Sequence, residues 1–157
     1  MKSIFYYETI IGEIGIADNG KGITNICIKN KLKIEKDMEI RETKLIKEAA
    51  NQLNEHFSGD RIDFSISLNP EGTEFQRKVW NELIKIPYGE TRTYKEIAEK
   101  IGNSKAARAI GMANNKNPIL IIIPCHRVVG KNKSLVGYAG GLEMKEKLLQ
   151  IEHRNSF

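Results

Sequence analysis

The first seventy residues alternate between apolar and polar positions in a pattern that predicts a small sheet joined to one helix. Three segments rich in β-branched and aromatic residues come first and are separated by turn signals, at residues 3–10, 12–20 and 22–29. Residues 41–59 repeat an apolar side chain at every fourth position and end at Gly59, which predicts a helix closed by a glycine. Alternation returns at residues 62–68 and predicts a further strand.

The second half of the chain has the periodicity of helices rather than of strands. Residues 73–86 place apolar side chains on one helical face after Thr73, a residue type that suits an N-cap. Thr93 stands three residues before Glu96, a capping-box spacing that predicts the start of a second helix, and Gly102 ends it. Two more helices are predicted, within residues 103–118 and 142–153.

A turn-rich segment at residues 69–73 separates these two patterns and indicates a domain boundary. We therefore expect an α/β domain at residues 1–70 and a mainly α domain at residues 71–157. Within the second domain, the two helices joined around Gly102 match a helix-turn-helix.

Composition excludes several classes of protein. No apolar run approaches the roughly 20 residues that a membrane span requires, and the N-terminus lacks the apolar block of a signal peptide. A soluble, cytoplasmic protein is expected, in which Cys27 and Cys125 are reduced and Cys27 is a small core residue. Cysteines and histidines show no metal-ligand spacing, and no cofactor motif is visible, so we expect neither a metal nor a cofactor.

The positive charge lies in the second half of the chain. Residues 1–70 contain 10 Lys and Arg against 11 Asp and Glu, whereas residues 71–157 contain 15 against 9. Such an excess is typical of a domain with a polyanionic partner. A lysine-rich proteome without any such partner explains the charge equally well.

The second helix of the helix-turn-helix carries unusually small side chains. Ala106 and Ala107 would let its backbone approach a surface closely, and Lys105 and Arg108 supply positive charge. Few long polar side chains are available to read base edges, so DNA binding here would involve mainly phosphates and little sequence preference. The alternative is an ordinary helical hairpin whose alanines only pack.

The segment ILIIIPCHRVVG, residues 119–130, places Cys125 beside His126 at the end of the most apolar run. A thiolate is the reactive form of cysteine, and a nearby base or positive field makes it accessible near neutral pH. We interpret the run as a buried strand from which Pro124 projects Cys125, with Arg127 adding positive potential. The alternative is a core cysteine next to a surface histidine.

The order of these segments resembles the O6-alkylguanine-DNA alkyltransferases. The resemblance is carried by GTEFQRKVW, IPYGETRTYKEIA, KAARAIGMANNKNP, IPCHRVVG and GYAGGLEMKEKLLQIE, which together span residues 72–152. It implies a small ribonuclease H-like sheet plus helix, followed by a winged-helix-like domain that contains the helix-turn-helix. It also implies repair of double-stranded DNA by a monomer, with one alkyl transfer per chain and no cofactor.

The resemblance assigns a role to each of several residues. Cys125 would accept the alkyl group, His126 would take the thiol proton through a water, and Glu152 would hold the imidazole. Tyr94 would donate a proton to the guanine ring. Asn117 would be a hinge that ties the second helix to the active-site segment.

Recognition of the flipped base is implied as well. Arg108 would fill the gap left in the base stack, within a DNA-binding set of Tyr94, Lys105, Ala106, Ala107, Arg108 and Arg127. The alkyl and base pocket would include Val128, Tyr138, Ala139 and Gly140. Some relatives carry a serine where this chain has Ala139, which affects only the expected substrate range, such as activity on O4-alkylthymine.

Two other functions remain open on the residues alone. A lesion sensor or regulatory DNA-binding module would bind DNA with an inert cysteine, although related sensors lack the reactive cysteine altogether. A cysteine hydrolase would turn over its substrate repeatedly.

Overall fold

The structure is a computed structural model that describes residues 2–28, 37–131, 138 and 141–155. Its internal contacts divide the chain into two compact units, Met1–Glu71 and Gly72–Phe157. The division falls one residue beyond the boundary expected at residues 70 and 71.

A four-stranded sheet with one covering helix forms the N-terminal unit. Its elements are β1 (Lys2–Thr9), β2 (Gly12–Asp18), β3 (Ile23–Ile28), β4 (Met38–Ile40) and α1 (Lys44–Phe57). The strand order is β3-β2-β1-β4, with β4 parallel to β1 and the other pairs antiparallel. The predicted strands β1 to β3 and helix α1 are confirmed, whereas the short β4 was not predicted. Cys27 is a free, only partly buried thiol on β3.

The strand predicted at residues 62–68 does not form. Among the described residues, this segment joins the sheet only through an isolated bridge between Leu68 and Ile23. Instead, the side chain of Gln52 on α1 accepts a hydrogen bond from the backbone N–H of Ser65 at 3.0 Å. Alternation of apolar residues is not sufficient for a strand, because a strand also needs a neighbour along its length.

Helices dominate the C-terminal unit. They are α2 (Glu74–Ile84), α3 (Tyr94–Ile101), α4 (Ala107–Asn115) and α5 (Leu142–Asn155). Two very short strands, β5 (Arg92–Thr93) and β6 (Val128–Val129), pair in parallel. The predicted caps are confirmed: Thr73 and Thr93 each form a capping box, and Gly102 closes α3 with φ 89°. Within the described residues, no helix is long and apolar enough to cross a membrane.

The largest side chain of this core, Trp80 on α2, anchors helix α4. Its indole N–H donates to the carbonyl of Ala113 at 3.0 Å, and only 2% of the residue is exposed. Gly72 lies against the same ring, so closely that an added Cβ would stand 2.5 Å from a ring carbon. Packing against Trp80 therefore requires a glycine at residue 72. The position of α4 depends on the hydrogen bond from Trp80 to Ala113.

The apolar run before Cys125 is not the buried strand that its composition predicted. Residues 120–122 form turns and residue 123 is a bend. Ile121 has φ 75°, and the N–H of Ile122 donates to the carbonyl of Leu120 at 2.8 Å, which closes a γ-turn around Ile121. This backbone conformation is strained for a β-branched residue. The run is buried because it fills the core, not because it pairs in a sheet.

Candidate active site

Cys125 lies at the end of a tightly folded loop, residues 117–125, which we term the nucleophile loop. It begins a 3-10 turn, Cys125–Arg127, and its N–H donates to the carbonyl of Ile123 at 2.8 Å around Pro124. The cysteine is fully buried. The structure thus presents the thiol from a rigid, water-excluded position, the condition that a nucleophile requires.

Asn117 holds the nucleophile loop together from within. Its amide N–H groups donate to the carbonyl of Ile123 at 2.8 Å and to the Sγ of Cys125 at 3.1 Å, and its Oδ1 accepts from the N–H of Ile119 at 3.0 Å. The side chain therefore joins the end of α4 to the thiol, as the resemblance implied for a hinge. A donor aimed at sulfur also stabilises the thiolate.

A buried lysine faces the same thiol. Burial raises the pKa of the Cys125 thiol, and the hydrogen bond from Asn117 and the charge of Lys145 oppose this increase. Lys145 on α5 is fully buried, and burial lowers the pKa of its ammonium to about 8. Sequence reasoning did not assign Lys145 to the site. The sequence did contain an indication of its role, because Lys145 stands seven residues before Glu152 and so lies on the same face of α5.

His126 and Glu152 form a buried pair behind the nucleophile. The Nε2 of His126 is hydrogen-bonded to the Oε2 of Glu152, and both side chains are almost completely buried. Burial lowers the pKa of His126, although Glu152 opposes this. The imidazole is therefore neutral near pH 7 and donates from Nε2, which leaves Nδ1 as its basic nitrogen. Nδ1 has no hydrogen-bond partner among the described residues.

The carboxylate of Glu152 is held at its other oxygen. Oε1 accepts from the Nε of Arg127 at 2.8 Å and from the backbone N–H of Gly89 at 3.1 Å. Burial raises the pKa of Glu152, but the hydrogen bond from His126 and the Arg127 guanidinium outweigh it and lower the value to about 2. The group is thus ionised throughout the physiological range.

The structure corrects the DNA-binding prediction for Arg127. Its guanidinium is buried, donates from Nη1 to the carbonyl of Ile86 at 2.7 Å and lies 5.6 Å from the ring centroid of Tyr88. A side chain with these contacts does not reach a phosphate. Adjacency to Cys125 suggested an exposed cation, but the 3-10 turn directs the arginine inward.

Tyr94 lies at the start of α3 and reaches toward the nucleophile loop. Its phenol is hydrogen-bonded by the side chain of Asn114, and burial and the nearby Cys125 raise its pKa. The same asparagine donates to the carbonyl of Cys125 at 3.4 Å. Asn114 therefore links the two residues, although sequence reasoning did not assign it. The only indication in the sequence was that asparagine, a poor helix former, stands inside α4.

The predicted base and alkyl pocket is described in part. Val128 is fully buried on β6, where it pairs with Arg92. Tyr138 is buried, and burial and the charges of Cys125 and Glu152 raise the pKa of its phenol. Ala139 and Gly140 lie outside the described residues.

Helix α4 presents a small and cationic surface. Arg108 and Ala109 are exposed, as is Met112 one turn further on. Lys105 is exposed and lies before the helix begins, and Ala107 is partly exposed. Ala106, in contrast, is buried, so its methyl group packs inside and its predicted DNA contact is corrected. No group of three or more potential metal ligands occurs among the described residues.

Comparison with known proteins places both units in one family. The DNA-binding domain of 6-O-methylguanine DNA methyltransferase matches residues 74–154, and the ribonuclease-like domain of the same family matches residues 4–70. The methylated-DNA–protein-cysteine methyltransferase of Methanosarcina acetivorans is 52% identical over 93% of this chain and 95% of its own length. The constitutive enzyme of Bacillus subtilis is 45% identical, with 92% of both chains covered.

Solved structures agree with the sequence relatives. The crystal structure of Mycobacterium tuberculosis OGT in complex with DNA has a TM-score of 0.90 and 40% identity, over 98% of this chain and 94% of that one. The crystal structure of Mycobacterium tuberculosis O6-methylguanine methyltransferase has a TM-score of 0.88 and 39% identity, over 100% of this chain and 96% of that one. By both units of its fold, this chain belongs to the 6-O-methylguanine DNA methyltransferase family.

Proposed function

We propose that this chain repairs double-stranded DNA by transferring the alkyl group of O6-alkylguanine to the Sγ of its own Cys125. The observation that carries the proposal is the buried arrangement in which Asn117 donates to Sγ at 3.1 Å while the neighbouring His126 is bound to Glu152. Nucleophile, base and orienting carboxylate are the parts that covalent catalysis by a thiol requires. The names of the relatives support the same reaction.

The proposed reaction is a displacement at the alkyl carbon. A bond forms between this carbon and Sγ of Cys125, and the bond from carbon to the guanine oxygen breaks. His126 takes the thiol proton through its free Nδ1 with a bridging water, and Tyr94 donates a proton to the guanine ring as the base leaves. The proton on His126 then replaces, through water, the one that Tyr94 gave up, so the products are guanine and a thioether. Because a thioether is not cleaved by this site, each chain acts once.

The proposed DNA surface is the exposed face of α4. O6 of guanine is inaccessible inside a duplex, so the nucleotide must rotate out of the stack. Small side chains such as Ala109 allow the helix backbone to approach the DNA, and Arg108 occupies the gap left by the flipped base. Lys105 contributes a phosphate contact. We place the protein in the cytoplasm, as a monomer that needs neither metal nor cofactor.

Intact-protein mass spectrometry tests the reaction directly. After mixing with a duplex that contains one O6-methylguanine, we expect a gain of one methyl group per chain, located on Cys125, with no further gain on excess substrate. Cys27→Ser is the matched control, because it removes the only other thiol and should react normally. Cys125→Ser should bind the duplex without transfer.

Two outcomes would support a different function. Tight lesion binding without any mass change in the unaltered protein would indicate a damage sensor. Release of the alkyl group to solvent over several cycles would indicate a hydrolase. Transfer to a residue other than Cys125 would leave repair in place but refute the assignment of the nucleophile.

A further inference from the structure

Arg127 follows the nucleophile and its base directly in sequence, yet the structure turns it away from any DNA surface. Its guanidinium makes three contacts at once: the Oε1 of Glu152, the carbonyl of Ile86 and the ring face of Tyr88. Burying a cation is costly unless it is paired and hydrogen-bonded. The contacts therefore serve something other than general stability, because two apolar side chains of similar volume would satisfy the core at lower cost.

The two oxygens of Glu152 have separate partners. Oε1 accepts from Arg127 at 2.8 Å and from the N–H of Gly89 at 3.1 Å, while Oε2 binds His126. A carboxylate held at one oxygen by two donors cannot rotate freely about its terminal torsion. The other oxygen is then fixed where it receives the Nε2 proton of His126, which leaves Nδ1 as the free lone pair.

The contact between Arg127 and Glu152 also balances the charges around the imidazole of His126. Three charged groups act on His126: Glu152 and Lys145 on α5, and Arg127 beside it in sequence. A buried carboxylate without a counter-charge favours a protonated histidine, which has no lone pair to accept a proton. Arg127 neutralises the carboxylate without removing it as a hydrogen-bond acceptor. Lys145 acts in the same direction but also faces the Cys125 thiol.

We propose that Arg127 is a positioning residue that keeps His126 unprotonated and correctly oriented for its role as base. The inference rests on the proposed function, because it presupposes that His126 deprotonates Cys125. Arginine suits this position better than lysine, since a planar guanidinium can donate from Nε and Nη1 to two acceptors while it stacks on an aromatic ring.

The pH dependence of single-turnover alkyl transfer tests the proposal. Arg127→Gln should move the acid limb of the rate profile to higher pH, because His126 then becomes protonated more readily. The loss of rate should be larger at pH 6 than at pH 8. Its size should be on the order of 10- to 100-fold, by analogy with the loss seen when the hydrogen-bond partner of a metal-ligating histidine is removed.

Two further variants complete the design. Arg127→Lys retains the positive charge but lacks the planar guanidinium that donates from two nitrogens. The acid limb of its rate profile should therefore lie where it does in the unaltered protein, whereas its plateau rate should be lower. Arg61→Gln is the matched control: it breaks an arginine–glutamate pair of 2.9 Å, with Glu55, in the N-terminal unit. Its pH profile should be unchanged. A loss in Arg127→Gln that is equal at every pH would overturn the proposal.

A measurement on the unaltered protein covers the case in which Arg127→Gln does not fold. The nitrogen chemical shifts of ¹⁵N-labelled imidazole should place the proton on Nε2 and show a neutral ring at pH 7. A protonated His126, or a proton on Nδ1, would overturn the inference about Arg127. Absence of alkyl transfer by the unaltered protein would instead refute the proposed function itself, so the two failures are distinguishable.

Discussion

Replacement of Gly72 by alanine tests whether the packing beneath α4 is as tight as the structure indicates. The new Cβ would lie 2.5 and 2.6 Å from two ring carbons of Trp80 and 2.8 Å from the Oε1 of Gln76. Carbon atoms in contact are normally about 3.5–4.0 Å apart, so the indole ring has to move by roughly 1 Å. The ring is buried and hydrogen-bonded to Ala113, so no free space receives it.

The expected cost follows from known effects of overpacking. Extra methyl groups in packed cores cost about 1–3 kcal/mol, and the lower chain entropy of unfolded alanine returns about 0.4–1 kcal/mol. Because the ring has to move by about 1 Å, the upper part of the first range applies, about 2–3 kcal/mol, and the net loss of about 1–2.6 kcal/mol should lower Tm by roughly 4–20 °C for a unit of this size. Because Trp80 is the only tryptophan, its fluorescence reports this core alone.

Gly111→Ala serves as the matched control for Gly72→Ala. Its added Cβ would meet only a ring carbon of Tyr94 at 3.8 Å, an ordinary contact. Alanine also favours the helical conformation over glycine by roughly 0.5–1 kcal/mol, so this variant should be slightly stabilised. Thermal unfolding of both variants, followed by tryptophan fluorescence, measures the change in Tm that each substitution causes. A neutral or stabilising effect of Gly72→Ala would refute the packing argument.

Three further predictions concern the site and its surroundings. Ile121→Gly should destabilise the protein by about 1–2 kcal/mol less than Ile123→Gly in urea unfolding, because glycine has no Cβ and its relief of the left-handed strain offsets part of the cavity cost; equal losses would contradict strain at Ile121. In a Cys125→Ser background, Arg108→Ala should weaken duplex binding and reduce the slope of log affinity against log salt by about 1, and an unchanged slope would remove Arg108 from the DNA surface. The pKa of Glu152 is lowered from 4.5 to about 2 in the folded protein, so its stabilisation is present above pH 4.5 and lost as the pH falls toward 2. Glu152→Gln should therefore flatten the dependence of Tm on pH between 2 and 5. If the fall in Tm over this range is unchanged, groups other than Glu152 cause it.

Local signals predicted the helices well. Thr73 and Thr93 cap helices because a side-chain oxygen followed three residues later by glutamine or glutamate can satisfy backbone donors within one turn. Gly102 ends α3 for a similarly local reason, since glycine adopts a positive φ without a steric penalty. Neither prediction required knowledge of the rest of the chain.

Strand predictions failed where pairing depends on distant partners. Residues 62–68 have the alternation of a strand, but only a single bridge to Ile23 forms, and α1 supplies a hydrogen-bond partner from Gln52. The apolar run before Cys125 folds into turns, including the strained one at Ile121. Hydrophobicity predicted correctly that residues 119–123 are buried, but it does not distinguish a core strand from a core loop.

The sequence by itself determined the family, the helical caps and the adjacency of Cys125 to His126, because motifs and capping act over a few residues. The resemblance also implied Glu152, but the tertiary structure alone decided which other groups surround that pair. Glu152 comes from α5, Gly89 from the segment after α2, and Arg127 turns inward to join them. The physical reason is that burial, counter-charge and hydrogen-bond geometry depend on elements far apart in the chain, and these quantities set the protonation state of each group.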